Sequence, residues 1–181
     1  RELLGPLSAP LGVYAVRGSP PVDRPATLVA LFEDLPIRLL RNDVAEVTGD
    51  EGRRLALLGL DCHHDIPRDR RALARLLGLP LGNGPRILLY HSPELMPDAV
   101  AAGIDLYLCG HTHGGQVRLP VIGPLLTMSK LGRRYVMGHY NEGRTHLYVT
   151  RGIGFEGLSA PRVRLLCPPA VTLVELGAGK Q

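Results

Sequence analysis

The sequence predicts an α/β fold with mixed parallel and antiparallel sheets flanked by helices. Short apolar runs alternate with amphipathic helical stretches and then give way, in the last third, to hairpin-like runs broken by Gly and Asn. Two successive apolar runs, residues 86–90 and 104–108, are bridged by a segment of helical spacing, the pattern of neighbouring parallel strands. Both runs end in histidine, at His91 and at His111 and His113, and both open into turns rich in Ser, Pro or Gly.

The elements follow in order. Residues 12–16 read as a strand. Residues 25–35 read as a helix, with Pro25 suited to its first turn and Leu28, Leu31 and Phe32 on one face. Residues 37–40 form a short strand, and 44–48 with 53–60 a hairpin about Gly49-Asp-Glu-Gly52. Residues 67–77 form a helix whose Leu73, Leu76 and Leu77 make a core-packing stripe. The strands at 86–90 and 104–108 flank a short helical stretch at 94–102. Residues 119–131, rich in Pro, Gly and Leu, read as a long loop beside the histidines. Residues 135–140 and 144–149 read as a hairpin about Asn141-Glu-Gly143, with His139 and His146 exposed on it. Residues 170–176 read as a closing strand.

At 181 residues and 45% apolar content the chain suits one domain, 1–181, with a buried core. No apolar run approaches the ~18 residues of a membrane span, and the opening residues do not form a signal peptide. The net charge of +4 comes from 19 arginines and only Lys130 and Lys180, scattered rather than clustered. With two phenylalanines and no tryptophan for stacking, nucleic-acid binding is not indicated. Cys62, Cys109 and Cys167 are odd in number and lack metal-motif spacing, so no disulfide framework is expected.

The chemistry concentrates in Leu108-Cys-Gly-His-Thr-His-Gly-Gly-Gln-Val117. Two imidazoles on one glycine-bracketed turn can face one small volume, and imidazole is the commonest protein ligand for transition metals. His91, at the end of the preceding strand, lies where open α/β sheets place their ligands. The expectation is that His91, His111 and His113 converge on one cleft at the carboxyl ends of adjacent strands. Asp61-Cys-His-His-Asp65 reads as a solvated loop, with a substrate-contacting or accessory role as the alternative. Neighbouring residues on an extended segment point opposite ways, so His63 and His64 do not share an ion.

His91-Ser-Pro93 together with Asp105-Leu-Tyr-Leu-Cys-Gly-His-Thr-His-Gly-Gly-Gln116 resembles the C-terminal part of the calcineurin-like metallophosphoesterase superfamily. The likeness is to a bacterial branch whose members are often exported or membrane-attached. Residues 9–16, 57–61, 148–154, 161–162 and 168–176 resemble its strands, so the likeness covers nearly the whole chain as the C-terminal two-thirds of a domain. It implies mixed sheets packed as a four-layer sandwich flanked by helices, with the N-terminal strands outside this sequence. It also implies hydrolysis of phosphate esters by two divalent metals, of Mn, Fe or Zn, on a phosphodiester, phosphomonoester or pyrophosphate. The substrate would be a small molecule or a lipid-linked phosphate, and any membrane attachment would come through a missing N-terminal segment. His91 and His111 would bind one metal and His113 the other.

Two departures accompany the likeness. The family's opening Asp-x-His and Gly-Asp-x-x-Asp motifs do not precede the strand at 12–16. Where the family has Gly-Asn-His-Asp or Gly-Asn-His-Glu, this chain reads Gly18-Ser19-Pro20-Pro21. The family's asparagine ligand becomes Ser19, a poorer oxygen donor, and its acid–base histidine becomes Pro20, so no catalytic residue is retained. Asp23 is a candidate substitute ligand. The alternative reading is a degenerate, non-catalytic relative that binds metal or phosphate.

Overall fold

A computed structural model of the chain describes residues 2, 4–19, 30–49, 52–155 and 162–177. Pro20, Pro21 and Asp23 lie outside the described residues, as does most of the helix expected at 25–35, of which 30–32 are helical.

Twelve elements carry the described fold: strands β1 (Val13–Val16), β2 (Ile37–Leu40), β3 (Asp43–Thr48) and β4 (Arg54–Gly59), helix α1 (Ile66–Leu77), strand β5 (Arg86–Leu89), helix α2 (Met96–Ala101), and strands β6 (Leu106–Cys109), β7 (Arg118–Leu119), β8 (Gly123–Pro124), β9 (Gly138–Glu142) and β10 (Thr145–Val149). Six of the strands form one mixed sheet in the order β3-β4-β5-β6-β10-β9. Its four central strands, β4, β5, β6 and β10, run parallel, while β3 and β9 close the edges antiparallel. The α/β class and the mixed pairing match the expectation from sequence.

This topology dictates the position of the site. Parallel central strands put all four carboxyl ends on one rim, so the segments after Gly59, Leu89, Cys109 and Val149 emerge side by side. β1 and β2 pair in parallel as a separate two-stranded sheet. It meets the main sheet at Gly59, where a Cβ would lie 2.2 Å from Leu40 Cβ and 3.1 Å from Val16 Cγ1. Only glycine permits that approach.

The core lies between the main sheet and its helices. Leu58, Leu60, Leu73, Leu88, Tyr90, Leu95, Met96, Ile104, Tyr107, Leu147 and Val149 are its fully or nearly fully buried side chains. Each buried aliphatic of this size contributes roughly 1.5–3 kcal/mol. α1 starts where Asp65 accepts from the Arg68 backbone N–H and turns Ala72, Leu73 and Leu76 inward, as its apolar stripe requires.

Three expectations need correction. Residues 170–176 form no strand: Val171 is 90% exposed and Leu173 87%. Their alternation satisfies the strand pattern, but among the described residues no strand edge accepts them in a ladder. The stretch 119–131 is not wholly loop, because β7 and β8 pair antiparallel within it. The segment Asp61–Asp65 is not a solvated loop: Asp61 is buried and paired with Arg41 at 3.0 Å, and His63 is half-buried against Asp69.

Candidate metal centre

His91 and His111 are carried by the segments after β5 and β6, and His113 follows one turn later. All three line one cleft of about 390 Å³, together with Tyr14 and Val16 of β1 and Thr150–Gly152 after β10. The structure therefore brings the sequence-identified histidines to one place.

Within the cleft they are not equivalent. His111 Nδ1 lies 3.2 Å from His91 Nε2, with the ring centroids 5.0 Å apart. The other nitrogen of His111 lies 3.0 Å from the Met128 carbonyl oxygen. A carbonyl only accepts, so Nε2 carries the proton and the Nδ1 lone pair faces His91. His113 stands apart, its Nδ1 3.4 Å from the Arg164 guanidinium. That guanidinium also donates to the carbonyls of Arg151, Gly152, Gly154, Cys167 and His113, which ties the rim loops together.

The loop holding His111 and His113 is strained. Both residues have positive φ, 71° and 49°, as does Gln116 at 51°. Positive φ in residues with a side chain costs on the order of 1–3 kcal/mol each and clusters at functional sites. Gly114 makes the turn possible: at φ 65°, an added Cβ would stand 2.5 Å from Cys167 Sγ and 2.9 Å from Arg151 Cγ. The Thr112 hydroxyl donates to the Val136 carbonyl at 2.6 Å and pins the turn from below.

A fourth histidine joins the cluster. The His64 ring lies 4.8 Å from that of His111 and 6.3 Å from that of His91, centroid to centroid. It arrives from the carboxyl end of β4, and the sequence reading missed it. Its neighbour His63 turns the other way, to Asp69 at 2.8 Å, and the left-handed backbone at His64, φ 54°, parts the two rings. Asp61-Cys62-His63 spells the aspartate-x-histidine pattern, but Asp61 is engaged by Arg41 and His63 by Asp69, so neither faces the cleft histidines. Ser19 Oγ is 2.9 Å from His64 Nε2, which places that predicted substitute ligand beside the cluster. Glu94 is also buried nearby. Its Oε1 accepts from the Lys130 backbone N–H, while its Oε2 has no hydrogen-bond partner among the described residues.

The electrostatics favour neutral rings. Burial, then the neighbouring His111, His64 and His113 rings, push the His91 pKa down to about 3. Burial and His111 lower that of His64 as well. Neutral imidazoles at pH 7 present lone pairs, the state a metal requires.

No family profile matches the chain, and no solved structure matches it. Curated proteins do. The chain is 31% identical over 182 aligned positions to the uncharacterized metallophosphoesterase YkuE of Bacillus subtilis, a match covering 96% of this chain and 59% of that protein. Similarity extends to an uncharacterized metallophosphoesterase of Aquifex aeolicus, 27% identical over 97% of the chain and 64% of that protein. The chain belongs to the calcineurin-like metallophosphoesterase superfamily. Phosphodiesterase YaeI of Escherichia coli is 43% identical over 95 residues, 52% of this chain and 33% of that protein. The chain thus spans about three-fifths of the length of YkuE and a third of that of YaeI.

Superfamily membership implies divalent metal, and the residues present can be tested for it. Among the described residues no group of three or more His, Cys, Asp or Glu side chains is arranged to hold a metal ion. The His91–His111 pair nevertheless fits an ion. Two nitrogens bound at ~2.0–2.1 Å to one tetrahedral zinc stand roughly 3.3 Å apart, against 3.2 Å here. The Met128 carbonyl supplies the outer hydrogen bond that normally orients a ligating imidazole.

Proposed function

We propose that this chain takes part in metal-dependent hydrolysis of phosphate esters. The observation that supports this most is the His91–His111 nitrogen pair, 3.2 Å apart on the carboxyl rim, in a chain of metallophosphoesterase ancestry. In the family's two-metal arrangement, His91 and His111 hold one ion and His113 the other, alongside carboxylate ligands from the family's Asp-x-His and Gly-Asp-x-x-Asp motifs. A divalent ion there supplies Lewis acidity at a phosphoryl oxygen and a route to nucleophilic water at neutral pH.

The chain's own residues set limits on the chemistry. Nitrogen ligands favour zinc, iron or manganese over magnesium. Pro20 cannot transfer a proton, so that position gives a leaving group no general acid help. Aryl esters, whose leaving groups are weak bases, are therefore better substrates than alkyl esters. A phosphodiester is the favoured class, since the similar protein YaeI is named a phosphodiesterase.

A second reading is carried by Gly18-Ser19-Pro20-Pro21: a relative that binds metal or phosphate without turnover. Hydrolysis of bis(p-nitrophenyl) phosphate by the 181-residue chain with manganese or zinc distinguishes the two. Weak turnover, lost with chelator and with His111→Ala, supports the phosphoesterase. Metal binding without turnover supports the second reading, and turnover that survives His111→Ala excludes this site as its source.

A further inference from the structure

We propose that His64 is a metal ligand, so that His64, His91 and His111 form a three-imidazole centre for a single divalent transition-metal ion, with the Ser19 hydroxyl beside it. The inference rests on the reading that His91 and His111 bind metal, and adds a ligand from a different strand in a different chemical arrangement.

Sheet order makes the third ligand available. β4, β5 and β6 are consecutive parallel neighbours, so the segments that follow them deliver His64, His91 and His111 to one rim. Three imidazoles on one tetrahedral ion, each bound at ~2 Å, place their ring centroids about 5 Å apart. The observed separations are 5.0 Å for His91–His111, 4.8 Å for His64–His111 and 6.3 Å for His64–His91. Two of the three already match, and closing the third requires His64 to swing by roughly 1 Å toward His91.

The segment is built to hold His64 there. His63 is locked to buried Asp69 by both its backbone N–H and its ring, at 3.0 and 2.8 Å, and Asp69 also accepts from the Tyr90 hydroxyl at 2.6 Å. From that anchor the backbone enters φ 54° at His64 and turns its ring back toward the cleft. Lys130 Nζ donates to the His64 carbonyl at 2.8 Å and fixes the peptide. A left-handed backbone at a histidine, held by two tethers, is a conformation retained for where it puts the ring.

The ligand count suits the charge. Three neutral imidazoles bring no repulsion between ligands. The buried Glu94 carboxylate supplies negative field at His64, offset by the Lys130 ammonium. Three histidines leaving one coordination position for water or substrate is a known form of catalytic zinc site. Such a centre needs neither the asparagine replaced by Ser19 nor a bridging carboxylate, which gives the Ser-Pro-Pro departure a physical counterpart.

Cobalt(II) titration of the 181-residue chain, followed by visible absorption, tests the assignment. Wild type is expected to take up one cobalt with the strong d–d bands of tetrahedral coordination, and His139→Ala to match it. His64→Ala is expected to lose about tenfold or more in affinity together with band intensity. His64→Cys is expected to gain a sulfur-to-cobalt charge-transfer band absent from wild type while its circular dichroism stays that of the folded chain, and to lose that band when His91→Ala is added. Wild-type affinity in His64→Ala without that band in His64→Cys, while His91→Ala abolishes binding, overturns the role of His64 alone. Unchanged binding in His91→Ala overturns the underlying metal reading as well.

Discussion

Two pairs of histidines in this molecule bring ring nitrogens equally close. His91 and His111 on the sheet rim are 3.2 Å apart, and His139 and His146 on the β9–β10 hairpin are 3.1 Å apart. The hairpin pair is exposed and stacked nearly coplanar, at 2° between planes. Among the described residues, neither ring of that pair shows a backing carbonyl or a third imidazole. The rim pair is half-buried, backed by the Met128 carbonyl, approached by His64 and carried on a left-handed turn. Proximity of two nitrogens is therefore not enough. A site also needs desolvation, outer hydrogen bonds that fix the tautomer, and a backbone bent to converge the rings.

The sharpest way to break the comparison is to relax each backbone. Gly114→Ala on the rim would drive a Cβ to within 2.5 Å of Cys167 Sγ at φ 65°. It should cost several kcal/mol, about 3 or more, from overpacking and strain combined. Gly143→Ala at the hairpin has a similar φ of 59° but nothing within 4 Å of the added Cβ, and should cost only about 1 kcal/mol. Urea unfolding of both variants checks the difference; equal losses would mean the rim turn is not packed as described.

Asp69→Ala is expected to come next, at about 2–3 kcal/mol, because the buried His63 and Tyr90 both lose their acceptor. The same variant should weaken metal binding through release of the 61–65 segment, although Asp69 itself does not face the cleft. Calorimetric zinc titration alongside the unfolding curve separates the two effects.

A smaller effect appears with pH. The folded pKa of His91 is depressed to about 3, below the unfolded value near 6.5. The unfolded chain therefore binds the proton first. The stabilisation is fully present above about pH 6.5 and is lost as pH falls toward 3, at up to about 1.4 kcal/mol per pH unit for this one proton. Metal-free wild type should show this slope between pH 6.5 and 5, and His91→Gln should flatten it. A slope that persists unchanged in the variant would assign it to other groups.

The smallest effect concerns the thiols. Burial raises the Cys62 thiol to about 11 and pushes that of Cys109 well above its ordinary value. Both should alkylate with iodoacetamide at pH 8 far more slowly in the native chain than in urea. Rapid native labelling of either would contradict their burial.

Much of this was legible in the sequence because it is local. Apolar runs ending in His91 and in Gly110-His111 specify strand ends, and parallel strand ends share a rim. His64 was not legible, because its position depends on β4 lying next to β5, a long-range pairing that the composition of Asp61–Asp65 does not encode. The alternation at 171–174 misled for the complementary reason. A strand needs a partner edge as well as a pattern, and the described residues offer none there. The tie between Arg164 and His113 was likewise invisible, since it spans 51 residues.

The rim cluster as metal centre is tested most directly by zinc calorimetry at pH 7.5 on three proteins: wild type, His91→Ala/His111→Ala and His139→Ala/His146→Ala. The expected result is one zinc per wild-type chain, binding lost in the rim variant, and binding retained in the hairpin variant. Binding that survives the rim substitutions and disappears with the hairpin ones would contradict the assignment.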